Sequence, residues 1–295
     1  MVINTFDSEG VIERALESVR WADEILICDM HSRDKTVEIA KKFKAKVVYH
    51  EQVSFVELAR NFAISKASGE WILILDPDEE VPSGLAERLQ EIVVGEEPDV
   101  TCVVIPRKNI IFGKWVKAAN WWPDYNIRFF KKGKVTWENK IHRPPQVTGE
   151  KMTLPATEQL GIKHYHYSSI SQFIRRMDRY TDVQAKELKE SGYQFKWSDL
   201  VFKPLSEFLG RYFANRGFED GLHGLALCLL QAVSFLVVYL KLWETEKFAE
   251  EDIRWPDIQE VSRKAGKEIV YWFKYANLSP NPLKRLAQRA RNKFF

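Results

Sequence analysis

Between residues 2 and 106 the chain alternates short apolar runs with amphipathic stretches. The runs at 2–5, 24–28, 46–50, 71–75 and 100–105, rich in Val and Ile, predict strands. The stretches at 9–18, 34–43, 55–66 and 83–93 space their apolar residues as a helix does, and predict helices. Strands separated by helices of that length must be joined by crossovers, which predicts a parallel sheet covered on both faces. This is a Rossmann-like α/β half, and such sheets bind ligands at the carboxyl ends of their strands.

The pattern changes twice further on. From 107 to about 147, aromatic residues, glycines and short β patterns at 126–130 and 134–137 predict a mixed or antiparallel extension of the sheet. From 168 onward the chain reads as helical, with 168–191 amphipathic and breaks expected near Pro204, Pro256 and Ser279-Pro280-Asn281-Pro282. The expected division is therefore 1–167, a catalytic α/β domain, and 168–295, a helical region. Within the latter, 224–240 has only Gln231 and Ser234 as clearly polar positions. A spanning helix needs about 20 apolar residues, so this run reads as a short span, a buried core helix or an in-plane segment. Lys203, Arg211 and Arg216 before it and Lys241 and Trp243 after it are the composition of a bilayer interface, which favours the in-plane reading.

Composition narrows the class. With 45% hydrophobic and 29% charged residues in 295, the chain is globular, and disordered or collagen-like readings drop out. Cys28, Cys102 and Cys228 are odd in number and far apart, which fits neither a disulfide framework nor a zinc site and points to a reducing compartment. Residues 1–7 have no basic region and no long apolar core, so no signal peptide is expected there. The net charge of +3 conceals an uneven distribution, since 282–295 holds five basic residues and no acidic one. Leu283, Leu286 and Ala290 recur there at helical spacing. An amphipathic helix on an anionic membrane explains that tail better than a nucleic-acid arm; a solvated helix is the plainer alternative.

Four groups of residues carry candidate chemistry. The strand 71–75 ends in Asp76-Pro77-Asp78, and carboxylates where a buried strand meets a loop suit a hard divalent cation holding a diphosphate, or simply cap the strand. The strand ending at Cys28 runs into Asp29, Ser32, Asp34 and Thr36; Asp29 suits a base or ribose, while Ser32 and Asp34 equally suit helix capping. Arg60-Asn61 lies on the preceding helix, where it either faces a nucleotide or supports the acidic loop. His164 and His166 alternate on a predicted strand, so both imidazoles share one face.

Taken in order, Thr5-Phe6-Asp7, Asp29-x-x-Ser32-x-Asp34-x-Thr36, Arg60-Asn61, Asp76-x-Asp78 and Trp122-Pro123-Asp124-Tyr125 followed by Arg128-Phe129 resemble the inverting family 2 glycosyltransferases of GT-A fold. The subgroup it most resembles is the lipopolysaccharide-core glucosyltransferase-like branch, and the resemblance covers about two-thirds of the chain. It implies a nucleotide pocket lined by Thr5, Asp7, Asp29, Arg60 and Asn61. It places Asp76 and Asp78 at the diphosphate and its Mg²⁺ or Mn²⁺, with His166 completing the metal shell, and an acceptor side at 115–125 that includes Trp121 and Trp122, with His142. Inverting transfer needs a carboxylate to take the acceptor's proton, and the resemblance offers Asp124. One departure stands out: relatives carry His-Glu where this chain has His142-Arg143, so the base falls to Asp124 or Glu138.

The expected activity is transfer of a hexose, glucose by resemblance, from a nucleotide diphosphate sugar to a lipid-linked saccharide such as a lipopolysaccharide core. The expected location is the cytoplasmic face of the cell membrane, with no nucleic-acid partner. The alternatives are a catalytically impaired binding protein and a sugar-phosphate nucleotidyltransferase, although the Gly-rich phosphate loop of the latter is missing.

Overall fold

The computed structural model describes residues 1–53, 56–95, 97–138 and 144–276. In chain order the elements are β1 (Val2–Thr5), α1 (Ile12–Glu17), β2 (Leu26–Asp29), α2 (Thr36–Lys42), β3 (Lys46–Tyr49), α3 (Glu57–Lys66), β4 (Trp71–Leu75), β5 (Glu79–Glu80), α4 (Ser83–Val93) and β6 (Val100–Ile111). There follow β7 (Lys114–Trp115), β8 (Asp124–Lys131), β9 (Val135–Thr136), β10 (Gln146–Val147), β11 (Glu150–Thr153), β12 (Ile162–Tyr167), α5 (Ile170–Glu190), α6 (Asp199–Leu209), α7 (Leu222–Thr245) and α8 (Trp255–Ala276). The chain forms two compact units, one of Met1–Ile111 with Trp122–His166 and one of Phe112–Trp121 with the described residues from Tyr167 onward.

The first unit is a twisted mixed sheet in the order β3-β2-β1-β4-β8-β6-β12-β5, with β11 beside β6. Strands β3, β2, β1 and β4 run parallel, with Val2 opposite both Leu26 and Ile74. β8 is antiparallel to β4 and β6, which is the antiparallel extension expected from the sequence. Successive β1 residues supply opposite faces: Ile3 packs with Leu16, Ile27, Leu75 and Leu89, whereas Val2 packs with Leu26, Cys28, Ile74, Ala63 and Phe130. Burying such aliphatic side chains stabilises by about 1.5–3 kcal/mol each. The parallel register, with Thr5 opposite Asp29 and Ile3 opposite Leu75, aligns the carboxyl ends of β1, β2 and β4, so Thr5, Asp29 and Asp76 lie along one edge.

Two boundaries differ from expectation for physical reasons. β6 continues through Pro106 to Ile111, since Arg107 and Asn109 are fastened to Asp124 on β8 and hold the strand in line. α6 continues through Pro204, whose missing N–H forfeits only the bond to the Leu200 carbonyl, and gives way instead at Gly210 to a π turn, Gly210–Ala214. Pro256 occupies the first turn of α8, where an N–H has no partner in any case. The Ser279–Pro282 break and the 282–295 tail lie outside the described residues.

In the second unit α7 packs on α5 and α6 through Val238, Tyr239, Leu242 and Phe235 against Ala185, Leu188 and Leu200. The Lys241 ammonium donates to Asp178 at 2.7 Å and Asp182 at 2.6 Å, tying α7 to α5. By length and composition α7 could cross a membrane, with a mean hydropathy of 2.1. Leu222, Leu229, Val233 and Leu240 form an exposed stripe on it. Its entry is tight: a Cβ on Gly224 would stand 1.8 Å from the Gly217 carbonyl oxygen. Only glycine fits there.

Candidate active site

The loops after β1 and β2 are laced together at the carboxyl edge. Asp29 is fully buried, and its carboxylate accepts the Ser32 backbone N–H at 2.9 Å and the Ser32 hydroxyl. Asp7, in the left-handed region at φ 44°, accepts the Arg33 N–H at 2.7 Å and donates its own N–H to Ser32 Oγ at 2.9 Å. Asp34 accepts the backbone N–H groups of Glu9 and Thr36, each at 2.9 Å. Ser32 thus holds loop to loop, and Asp34 does so while also bonding Thr36 at the start of α2. At the carboxyl end of β1 the buried Thr5 hydroxyl makes no hydrogen bond within the protein, and neither do the amide atoms of Asn4 on the opposite face of the strand. Buried polar atoms left in that state mark a place where water or a ligand supplies the partner.

A charged chain continues along the edge. Arg128 on β8 is 3% exposed and donates through one nitrogen to Asp76 and to Glu79, both at 2.6 Å. Arg60 reaches the other Asp76 oxygen at 3.4 Å. Glu79, itself 1% exposed, also accepts from Arg107 at 3.3 Å and from the Asp76 backbone N–H at 2.9 Å. Arg107 then donates to Asp124 at 2.8 Å, and Asn109 and Asn126 donate to the same carboxylate at 3.1 and 3.0 Å. Asn109 joins His164 Nδ1 at 2.7 Å, and His164 Nε2 lies 3.7 Å from Asp78. The His164 and His166 rings are 4.4 Å apart, on one face as their alternation predicts.

These contacts set the titration of the edge. Burial works to raise the Asp76 carboxyl, but the Arg128 and then the Arg60 guanidinium outweigh it and hold it far below the usual carboxylate range. Burial likewise works against the charge on Arg128, yet Asp76 and Glu79 raise it well above an ordinary arginine. Asp124 is also lowered: burial opposes its charge, and Arg107 with the Asn109 and Asn126 bonds prevails. A carboxylate held ionised in this way has little appetite for a proton.

The remaining expected residues fall as follows. Asn61 brackets Trp137, accepting its N–H at 3.0 Å and donating to its carbonyl at 2.7 Å, while Arg60 lies over the Trp137 ring at 5.6 Å; both support the acidic edge from α3. Glu138 is half-buried and accepts from Gln146 at 3.0 Å. Half-buried Trp121 belongs to the second unit and half-buried Trp122 to the first, where its ring would meet a Cβ on Gly161 at 3.1 Å. His142 lies outside the described residues. Glu79, Arg107 and Asn109 were not expected as site residues, and the cue was charge and amide inside otherwise apolar strands.

The donor set for a cation is partial. Each Asp76 oxygen faces a guanidinium, Arg128 at 2.6 Å and Arg60 at 3.4 Å. Asp78 and the two imidazoles are the hard-oxygen and nitrogen donors that fit one. Among the described residues no cluster of three His, Cys, Asp or Glu stands ready to enclose an ion.

A parallel sheet whose carboxyl edge carries laced acidic loops, orphaned polar atoms and an Asp-x-Asp turn, extended by antiparallel strands, is the GT-A type of transferase fold. The profile of glycosyl transferase family 2 matches residues 1–148, and the chain belongs to that family. It is 28% identical over 251 residues to an uncharacterized glycosyltransferase of Rickettsia typhi, covering 82% of this chain and 85% of that one. It is 22% identical over 248 residues to the lipopolysaccharide core biosynthesis glycosyltransferase LpsC of Rhizobium meliloti, covering 81% and 89%. Residues 1–349 of S. aureus TarS in complex with UDP superpose with a TM-score of 0.41 at 14% identity, over 86% of this chain and 93% of that one. A Mycobacterium tuberculosis glucosyl-3-phosphoglycerate synthase with Mn²⁺ and UDP-glucose gives 0.30 at 20% identity, over 37% of this chain and 41% of that one.

Proposed function

We propose that this glycosyltransferase moves a hexose, glucose in the first instance, from a nucleoside diphosphate sugar to a lipid-linked saccharide of the cell envelope, with inversion. The observation that carries the donor half is the unpartnered Thr5 hydroxyl beside the Asp7–Ser32–Asp29 lacing. In this reading Thr5, Asp7 and Asp29 receive the nucleoside, and Arg60 and Asn61 brace the floor of its pocket. Asp76 stays clamped by Arg128 and Arg60 and keeps the turn in place for Asp78. A divalent cation, Mg²⁺ or Mn²⁺, would be held by Asp78 with the His166 imidazole and would neutralise charge on the departing diphosphate. Of the expected acceptor residues in the first unit, Trp122 offers its ring to the saccharide. Of the two candidate bases, Glu138 suits proton removal better than Asp124, whose four hydrogen bonds from Arg107, Asn109 and Asn126 favour its ionised form. The lipopolysaccharide-core name of the Rhizobium meliloti relative supports the acceptor class.

The test is nucleoside diphosphate release from a panel of nucleotide sugars, with and without Mg²⁺ or Mn²⁺. Turnover of one donor is expected. Tight binding of a donor with no turnover would favour the rival reading of an impaired binding protein, for which Arg143 after His142 speaks. No binding of any donor would sink both.

The proposed address is the cytoplasmic face of the membrane, peripheral and in-plane. Beside the α7 stripe, α8 exposes Trp255, Ile258, Ile269 and Phe273, with Arg263 and Lys267 also exposed. Apolar side chains flanked by cations are what an anionic bilayer surface binds. Co-flotation with phosphatidylglycerol vesicles is expected for the full chain, and a several-fold loss for Leu229→Glu with Val233→Glu or on removing 282–295. Equal flotation of all three proteins would remove the membrane role.

A further inference from the structure

The segment 112–121 of the second unit is held in an unusual backbone. Phe112, Ala119 and Asn120 all lie in the left-handed region, at φ 51°, 55° and 65°. Residues with a Cβ persist there only where their surroundings impose it, and such strain gathers at functional sites. What imposes it comes from the turns before α7. The Asp220 carboxylate, 6% exposed, accepts the backbone N–H groups of Lys117 at 2.8 Å and Ala118 at 2.7 Å. Lys114 donates to the Asp220 carbonyl at 2.7 Å. Arg211 donates to the Ala119 carbonyl at 3.0 Å, and the Ala119 N–H donates to the Asn215 carbonyl at 2.8 Å. Arg211 is itself paired with Glu207, and it sits in the π turn, another feature that recurs at functional sites. Asp220 is fixed in turn, because Gly224 seats its short 3₁₀ turn directly on the start of α7.

What the clamp displays is suited to a saccharide. Lys117 lies over the Trp115 ring at 4.0 Å, and Asn120 is exposed, with half-buried Trp121 next along the chain. An aromatic face beside amide and ammonium donors matches the apolar face and hydroxyls of a sugar ring. We propose that Asp220, assisted by Arg211, is a positioning residue for acceptor binding: its carboxylate holds 112–121 in the strained form that presents Trp115, Asn120 and Trp121 to the acceptor saccharide. This rests on the reading of 115–125 as the acceptor side.

The test compares the full-length wild type with Asp220→Asn, Asp220→Ala and Arg211→Lys by three measurements. These are amide hydrogen exchange, calorimetric binding of UDP and GDP, and KM for a truncated-core lipopolysaccharide as the acceptor probe. Losing a buried carboxylate that accepts two N–H bonds corresponds to about tenfold or more. Asp220→Ala is expected to speed exchange at Lys117 and Ala118 and to raise the acceptor KM by about that factor. Sheet amides and nucleotide affinity stay at wild-type values. Asp220→Asn, which keeps an oxygen acceptor, falls between. Faster exchange with an unchanged acceptor KM would overturn the proposal, as would parallel losses in nucleotide affinity and KM. Should Asp220→Ala fail to fold, Arg211→Lys gives the same readouts from the other end of the clamp. A wild type that binds neither nucleotide and transfers nothing would instead defeat the donor reading, and the exchange arm would still decide whether Asp220 holds the loop.

Discussion

Replacing Arg128 by Met is expected to destabilise the protein by about 3–5 kcal/mol, the cost of breaking a buried ion pair by removing one partner. One Arg128 nitrogen serves both Asp76 and Glu79 at 2.6 Å. Without it Glu79, whose side chain is fully buried, keeps the Asp76 backbone N–H at 2.9 Å and Arg107, at 3.3 Å, as its cation, and Asp76 keeps Arg60 at 3.4 Å. The buried Glu79 carboxylate and the half-buried Asp76 carboxylate would then face each other with weak compensation. The urea midpoint should fall accordingly, with the melting temperature about 10 °C lower. A loss under about 1 kcal/mol would show that the hub contributes little.

The same variant carries a pH signature. The folded-state pKa of Asp76 is depressed, chiefly by Arg128 against the opposing effect of burial, so its contribution is fully present above the unfolded value of about 3.9. It is lost as the pH falls from there toward the folded value. The stability gap between wild type and Arg128→Met should therefore be full at pH 7 and narrow below about pH 4.

Gly224→Ala is expected to cost about 3 kcal/mol or more, beyond the usual range for overpacking, because the obstruction is backbone. The new Cβ would fall 1.8 Å from the Gly217 carbonyl oxygen, and Gly217 has no room to retreat, since its own Cα side faces Cys228 Sγ and the Arg211 carbonyl. α7 would have to lift off the 3₁₀ turn that carries Asp220. Gly266→Ala in α8 is the matched control: nothing lies within 4 Å of its Cβ position, and helix propensity predicts a gain of up to about 1 kcal/mol. Thermal unfolding of both variants, with limited proteolysis to locate any loosening, decides the point. A Gly224→Ala protein as stable as wild type would contradict the tight entry to α7.

How much of this was legible beforehand follows from the range of the interactions. Val2–Thr5 and Trp71–Leu75 are as the residue pattern predicts, because a buried strand is written in consecutive β-branched and aliphatic residues. α4 likewise spans 83–93 as its periodicity predicts. The acidic turn at Asp76 was visible because a strand end is a local event. Its electrostatic state was not: Arg128 lies 52 residues from Asp76 and 49 from Glu79 in sequence. The extension of β6 past Pro106 depends in the same way on Asp124, far along the chain, which overrides the local signal of a proline. The Asp220 clamp spans 103 residues to Lys117, and no periodicity reports a pairing of that kind. The need for glycine at 224 is steric in the same non-local sense, set by the approach of the Gly217 carbonyl.

The sheet edge built from Thr5, Asp29 and Asp78 is tested most directly by nucleoside diphosphate release from the donor that the panel selects, measured for wild type and Asp78→Asn. Asp78 is largely buried and 3.7 Å from His164, and asparagine keeps its size and an oxygen acceptor, so the substitution should spare folding. Steady turnover by wild type, with a rate at least about 100-fold lower in Asp78→Asn at an unchanged melting temperature, is the predicted result. Equal rates for the two proteins would contradict it and move the chemistry away from this edge.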